Sequence, residues 1–283
     1  MFRSLYGKLP FILTYTNKMI FDILKSKSTR LFLVLSGLFI TCALLAEVIG
    51  VKIFSLEDTI GVKRANLNIF GSSFSFHLTA GVVLWPVVFI MTDVINEYFG
   101  PKGVKFISFL AIGFISFAFL VFNLAIALQP SEYFSIGAGI TEPDKAFRGI
   151  FGQGMWIIVG SLTAFFIAQL LDVAIFHRIK KATGGKKVWL RATGSTLVSQ
   201  LLDSFIVLFI AFYIGRRISP DQGDAWSLQQ ILVTGTGNYI YKFFVALLLT
   251  PLIYLMHGWI DNYLGKTISG EMKEAAMRNK PQE

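Results

Sequence analysis

One cysteine and three histidines are all that 283 residues offer to thiol or imidazole chemistry. Cys42 cannot form an intrachain disulfide, and inside an apolar stretch it reads as a small buried hydrophobe. His77, His177 and His257 are scattered, with no His-Glu-x-x-His zinc motif and no His and Cys ligand set. A Gly-x-Ser-x-Gly nucleophile elbow is also missing, so the chain reads as a non-enzyme that needs no cofactor. Without a P-loop it does not itself hydrolyse ATP. Nor do short apolar and polar residues alternate in stretches of about ten, which excludes an outer-membrane barrel. Acids are scarce, 17 against 26 bases. The resulting +9 charge follows topology and is not gathered on a nucleic-acid-binding motif, so no nucleic acid is expected as a direct partner.

Apolar sequence is what the chain has in excess. It is 54% hydrophobic with 28 Phe, and its mean hydropathy of +0.63 lies outside the range of a soluble domain. Crossing a hydrocarbon core takes about 20 residues per helix. Six stretches qualify, at 31–52, 78–99, 104–128, 154–176, 196–215 and 230–256. The expected fold is an all-α polytopic membrane protein with six transmembrane helices. With the N-terminus inside, the inner segments carry 18 Lys and Arg and the outer loops seven, with Lys242 inside the sixth helix. Both termini are therefore expected in the cytoplasm. Residues 1–30 mix apolar side chains with six bases and one acid, as in an interfacial extension attracted to anionic lipid or a partly disordered tail. Residues 31–265 form the transmembrane domain, and 266–283 read as a polar cytoplasmic tail whose last dozen residues are loose.

Polar residues interrupt this apolar background in a pattern. Gln169, Leu170, Leu171, Asp172 reappears as Gln200, Leu201, Leu202, Asp203. Residues three apart share a helix face, so each Gln points with its Asp. A carboxylate in hydrocarbon costs roughly 2.5–3.5 kcal/mol on insertion scales, which directs such residues to a cavity or a partner. On successive antiparallel helices the repeated motif reads as half of a polar pocket, and as the mark of an internal inverted repeat or a chance match.

Helix two adds Asp93, Asn96 and Glu97 on one side, below Pro86, which should kink its outer half. Asp93 falls within the bilayer, whereas Glu97 reads first as a solvated helix end. Helix six places Lys242 near mid-membrane, a cation to set against Asp93, Asp172 and Asp203. Glu47 and Lys52 read as snorkelling, and His177 as interfacial beside a basic run. The candidate solute-binding residues are Asp93, Asn96, Gln169, Asp172, Ser199, Gln200, Asp203 and Lys242. Glu97, Trp189, Arg191, Tyr239 and Tyr241 are candidates for gating or aromatic walls, with Arg191 able to reach a carboxylate or a lipid headgroup. Amides and carboxylates in one plane between aromatic walls suit a small, polar, guanine-like heterocycle.

Three separated runs resemble one family. They are Ala80 to Pro86 leading to Thr92–Gly100, then Leu190–Asp203, then Tyr241 and Lys242 with Thr250–Tyr254. Together they are similar to the queuosine precursor transporters, also called the vitamin-uptake-like family, over roughly residues 31–265. This chain departs in its longer N-terminus, in Trp85 where Phe is frequent and in Thr193 where Asn is common. The resemblance implies a multi-pass bacterial inner-membrane importer of 7-deazaguanines, such as 7-cyano-7-deazaguanine and 7-aminomethyl-7-deazaguanine, for salvage into tRNA queuosine. The alternative is an importer or binding subunit for another nucleobase- or vitamin-like solute, working with a separate ATPase module. A homodimer is the default expectation for assembly.

Overall fold

The computed structural model describes residues 25–64, 67–69, 71–137, 139–152, 154–219 and 224–278. Most of the N-terminal extension, 1–24, lies outside the described residues. Helix α1 spans Lys27–Ile49 and is capped by Ser26, whose hydroxyl accepts from the Thr29 amide. After it come strand β1 (Ile53–Ser55), the short helix α2 (Leu56–Ile60), and strands β2 (Leu67–Ile69), β3 (Ser72–Phe74) and β4 (His77–Thr79). β1 pairs antiparallel with β4, and β2 with β3.

The second apolar segment begins differently from the expectation. Residues 77–79 are strand and Ala80–Val83 form a 3-10 turn. Helix α3 starts only at Trp85, with Pro86 in its first turn. There a proline lacks only an amide that would have no helical partner anyway, so it starts the helix instead of kinking it. Gly81 is required at this approach: a Cβ would lie 2.4 Å from the Ala46 carbonyl oxygen of α1.

Helix α3 runs Trp85–Ala127 but breaks at Gly100, whose φ of 70° and ψ of −175° are not helical. Its two halves both follow α1. Gly81 meets Ala46 and Phe99 packs on Phe32 at 4.9 Å. Beyond the break, a Cβ on Gly103 would touch Phe32, while Ile115 and Phe119 cluster with Ala43. The halves therefore run in opposite directions, and the turn expected at Gly100 is where the chain reverses.

Helix α4 covers Pro143–Phe151, followed by α5 (Met155–Ala182) and α6 (Val188–Leu208). α6 continues through a π-helical stretch, Phe209–Gly215, and a last turn, α7 (Arg216–Ile218). Helix α8 spans Leu228–Leu264 and opens on a capping box between Ser227 and Gln230. The start of the fifth segment, rich in Gly and hydroxyls, is helical from Val188. Its backbone amides are accordingly spent within the helix.

The described part of the tail also differs from its expected looseness, while 279–283 lie outside the described residues. Lys266–Arg278 form helix α9, which packs along α3, with the Ala276 Cα 3.4 Å from where a Cβ on Gly100 would stand. Asp261 anchors it by accepting from Ser269 and from Lys273 at 2.7 Å, and from the Tyr98 hydroxyl at 2.7 Å.

Among the described residues, five helices are long and apolar enough to cross a membrane. Their outward faces are apolar, with Phe106, Phe117, Leu124, Leu248 and Leu255 more than half exposed. Polar side chains such as Asn96, Ser195 and Asp93 are buried instead. That inversion of the soluble pattern is what hydrocarbon selects. The fold is an all-α polytopic membrane protein.

Candidate solute site

Helices α3, α5 and α6 build one pocket. α5 and α6 are antiparallel: Gly160 faces Val207, Asp172 faces Thr196 and Ser199, and Ile179 faces Gly194. Both Gln-x-x-Asp motifs turn inward, so Gln169, Asp172, Gln200 and Asp203 line the same space with Thr92, Thr196 and Ser199. The remaining wall is apolar, made by Trp85, Val88, Phe89, Phe165 and Ala168 on the same helix faces as Thr92, Gln169 and Asp172. Trp85 holds that wall in place by contacting Phe89 at 6.1 Å and Phe165 at 6.0 Å between ring centroids. The cavity that these residues enclose is about 20 Å³. That is room for one or two waters.

The polar wall is only partly satisfied from within. Thr92 donates to the Val88 carbonyl at 2.9 Å, leaving its oxygen to accept from Gln169 Nε2 at 3.4 Å. Asp172 Oδ1 lies 3.4 Å from both the Thr196 and Ser199 hydroxyls. Ser199 has a single proton to share between that carboxylate and the Thr196 carbonyl at 3.0 Å. Among the described residues, Asp172 Oδ2 has no hydrogen-bond partner. Asp203, at the pocket's other end, forms an ion pair with Lys242 of α8.

A second polar cluster lies beyond this pocket. Glu97 is buried, contrary to its reading as a solvated helix end. Its carboxylate pairs with Lys180 at 3.0 Å and with Arg191 at 2.9 Å, and Lys180 also donates to the Glu97 carbonyl at 3.1 Å. Both cations face the ring of Phe176, at 6.0 Å and 5.7 Å, and Arg191 Nη1 donates to the Gly185 carbonyl at 2.6 Å. Arg191 thus reaches inward to a carboxylate, the first of its two expected uses. His177 is buried too, not interfacial, with Nε2 donating to Asn96 Oδ1 at 2.8 Å. Sequence reasoning missed Lys180 because it stands in a basic run. Its spacing gives it away, since 169, 172, 173, 176, 177 and 180 continue one helical face past the apolar segment.

The remaining candidates fall elsewhere. Asp93 and Asn96 are buried on α3 but do not line the pocket. Trp189 is half exposed, with only its amide engaged, accepted by the Tyr254 hydroxyl at 3.3 Å. Tyr239 and Tyr241 are partly buried on α8 and absent from the pocket walls. The aromatic wall comes instead from Trp85, Phe89 and Phe165, side chains that apolar sequence surrounds and so conceals. Glu47, expected to snorkel, accepts from the Ser161 hydroxyl at 2.6 Å. Among the described residues no group of three His, Cys, Asp or Glu is placed to hold a metal ion.

Comparison with known proteins agrees with this architecture. A "Probable queuosine precursor transporter" of Bacillus subtilis is 32% identical over 201 residues, covering 70% of this chain and 80% of the relative. One of the same name from Haemophilus influenzae is 28% identical, over 63% of this chain and 67% of the relative. The "Queuosine precursor transporter" of Escherichia coli is 26% identical, over 73% and 83%. No solved structure matches. Bacterial transporter relatives and five apolar helices make this a multi-pass protein of the bacterial inner membrane. The model of the family described as "Putative vitamin uptake transporter" matches residues 79–256, which include the whole pocket, and the chain belongs to that family.

Proposed function

We propose that this chain imports 7-deazaguanine precursors of queuosine, binding them in the pocket lined by Trp85, Phe89 and Phe165 together with Gln169, Asp172, Ser199, Gln200 and Asp203. The observation that carries this reading is that aromatic side chains line the same pocket as amides and carboxylates. A guanine-like ring presents two flat faces to stack and an edge of N–H and C=O groups to bond. The Asp172 carboxylate, with one oxygen free of hydrogen bonds, is the acceptor for an amidine-like N–H pair. Its relatives' names supply the solute class. The protein binds and moves its solute without covalent chemistry.

Six crossings fit the reading, counting the two halves of α3 separately because each follows the length of α1. Both termini then lie in the cytoplasm, in keeping with the basic inner segments. Ligand pockets commonly measure 300–1,000 Å³, so a space this narrow belongs to a closed form. The lining helices part to admit the ring, and the repeated Gln-x-x-Asp on antiparallel helices is the element on which the two sides alternate.

Uptake of labelled 7-cyano-7-deazaguanine tests this in cells unable to make it, expressing wild type, Asp172→Asn or nothing. Wild type restores uptake, and the variant fails while reaching the membrane in equal amount. No uptake above the empty control refutes the solute assignment.

A further inference from the structure

The buried charges of the described residues do not balance. Around the pocket and the Glu97 cluster the buried or nearly buried carboxylates are Asp93, Glu97, Asp172 and Asp203, and the cations are Lys180, Arg191 and Lys242. Lys242 is committed to Asp203, while Lys180 and Arg191 both grip Glu97. Asp93 and Asp172 share what remains, the single excess positive charge of the Glu97 cluster. Both side chains are at most 4% exposed, and each keeps one oxygen without a hydrogen-bond partner. Contacts on either side bring them together: Gln169 donates to Thr92 and His177 to Asn96, so α3 and α5 run side by side through Asp93 and Asp172.

Two ionised carboxylates so placed, with one compensating charge between them, are disfavoured by repulsion and by desolvation together. One proton removes the imbalance. The groups around the pair offer no other neutralising charge. Glu97 stands one turn on from Asp93 in α3 and is paired with Arg191 of α6, and Lys180 and His177 of α5 are bonded to Glu97 and Asn96. Across the pocket are Asp203 of α6 and Lys242 of α8, with Glu47 of α1 within reach of Asp203. At the far end, His257 and Asp261 of α8 and Lys273 of α9 gather on Tyr98.

We propose that Asp93 and Asp172 form a proton-binding pair that holds one exchangeable proton and links it to solute binding, an inference that rests on the solute pocket proposed above. Asp172 lines the pocket and Asp93 does not. A solute donating N–H groups to Asp172 needs that carboxylate ionised, so the proton resides on Asp93 in the loaded state. Losing it leaves two adjacent negative charges and a net negative site, which opposes closure over the solute. Protonated Asp93 thereby makes proton binding and solute binding mutually supporting.

Two measurements on the purified protein in detergent decide this. The infrared band of a protonated carboxyl, recorded without solute, is present in wild type and absent from Asp93→Asn/Asp172→Asn. Its absence from wild type overturns the proposal. Affinity for 7-cyano-7-deazaguanine then falls in wild type by about tenfold per pH unit once the pair releases its proton, as linkage of one proton requires. Asp93→Asn, which imitates the protonated side chain, still binds and loses this alkaline fall. A flat wild-type profile, or an unchanged fall in Asp93→Asn, overturns the proposal. If wild type does not bind this solute yet keeps a band that the double variant lacks, the solute assignment fails and the proton site stands.

Discussion

Replacing Glu97 by Gln should be among the most damaging isosteric changes in the chain. The wild-type cluster sets one carboxylate against two cations, with all three side chains at most 3% exposed. Glu97→Gln preserves shape but leaves Lys180 and Arg191 facing each other with no carboxylate between them. Removing one partner of a buried ion pair typically costs 3–5 kcal/mol, because the surviving charge stays desolvated. The same range, about 3–5 kcal/mol, is expected here. Adding Lys180→Met returns the cluster to its original single excess positive charge, held over Phe176 and by the Gly185 carbonyl, and should recover part of the loss. Equilibrium unfolding in mixed micelles, followed by far-ultraviolet circular dichroism, reads both values. A Glu97→Gln protein within 1 kcal/mol of wild type, the scale of solvated ion pairs, would show that water reaches this cluster and that its burial is not what organises the helices' inner ends.

Other substitutions test separate parts of the account. Trp85→Ala or Phe165→Ala should weaken binding of labelled 7-cyano-7-deazaguanine about two- to tenfold, from lost stacking worth roughly 0.5–1.5 kcal/mol beyond burial, whereas Trp189→Ala, at a side chain half exposed and away from the pocket, leaves binding unchanged. Lys242→Met should lower unfolding stability by about 3 kcal/mol by stranding Asp203, and Lys242→Met/Asp203→Asn should restore most of it. Gly81→Ala should cost about 1–3 kcal/mol by forcing apart α1 and the turn before α3. Gly113→Ala, with nothing within 4 Å of its Cβ, should be neutral or stabilising by up to about 1 kcal/mol in the same unfolding assay.

Much of this architecture is written in the sequence because hydrocarbon enforces a simple rule. Apolar length marks the crossing helices, and a Gln-x-x-Asp repeat inside them has to face inward, as all four of its residues do. What composition could not convey was where helices extend beyond their apolar stretch. α5 runs on to Ala182 and carries His177 and Lys180 into the interior, although the local sequence looks like a basic cytoplasmic loop. α3 begins later than hydropathy suggests because apolar residues 78–84 serve equally well as strand and 3-10 turn. The pocket's aromatic wall was hidden for a related reason. Trp85, Phe89 and Phe165 stand among many apolar neighbours, and only the packing of three helices distinguishes them from lipid-facing side chains. Trp189, conspicuous beside the basic run, points to the surface instead.

The central claim is that this chain alone moves a 7-deazaguanine across a membrane. Purified protein in liposomes preloaded with unlabelled 7-cyano-7-deazaguanine, with no ATP and no other protein, should take up the labelled compound by exchange. Asp172→Asn liposomes should not. Exchange that appears only when ATPase subunits are added, or that proceeds equally well in Asp172→Asn, would contradict it.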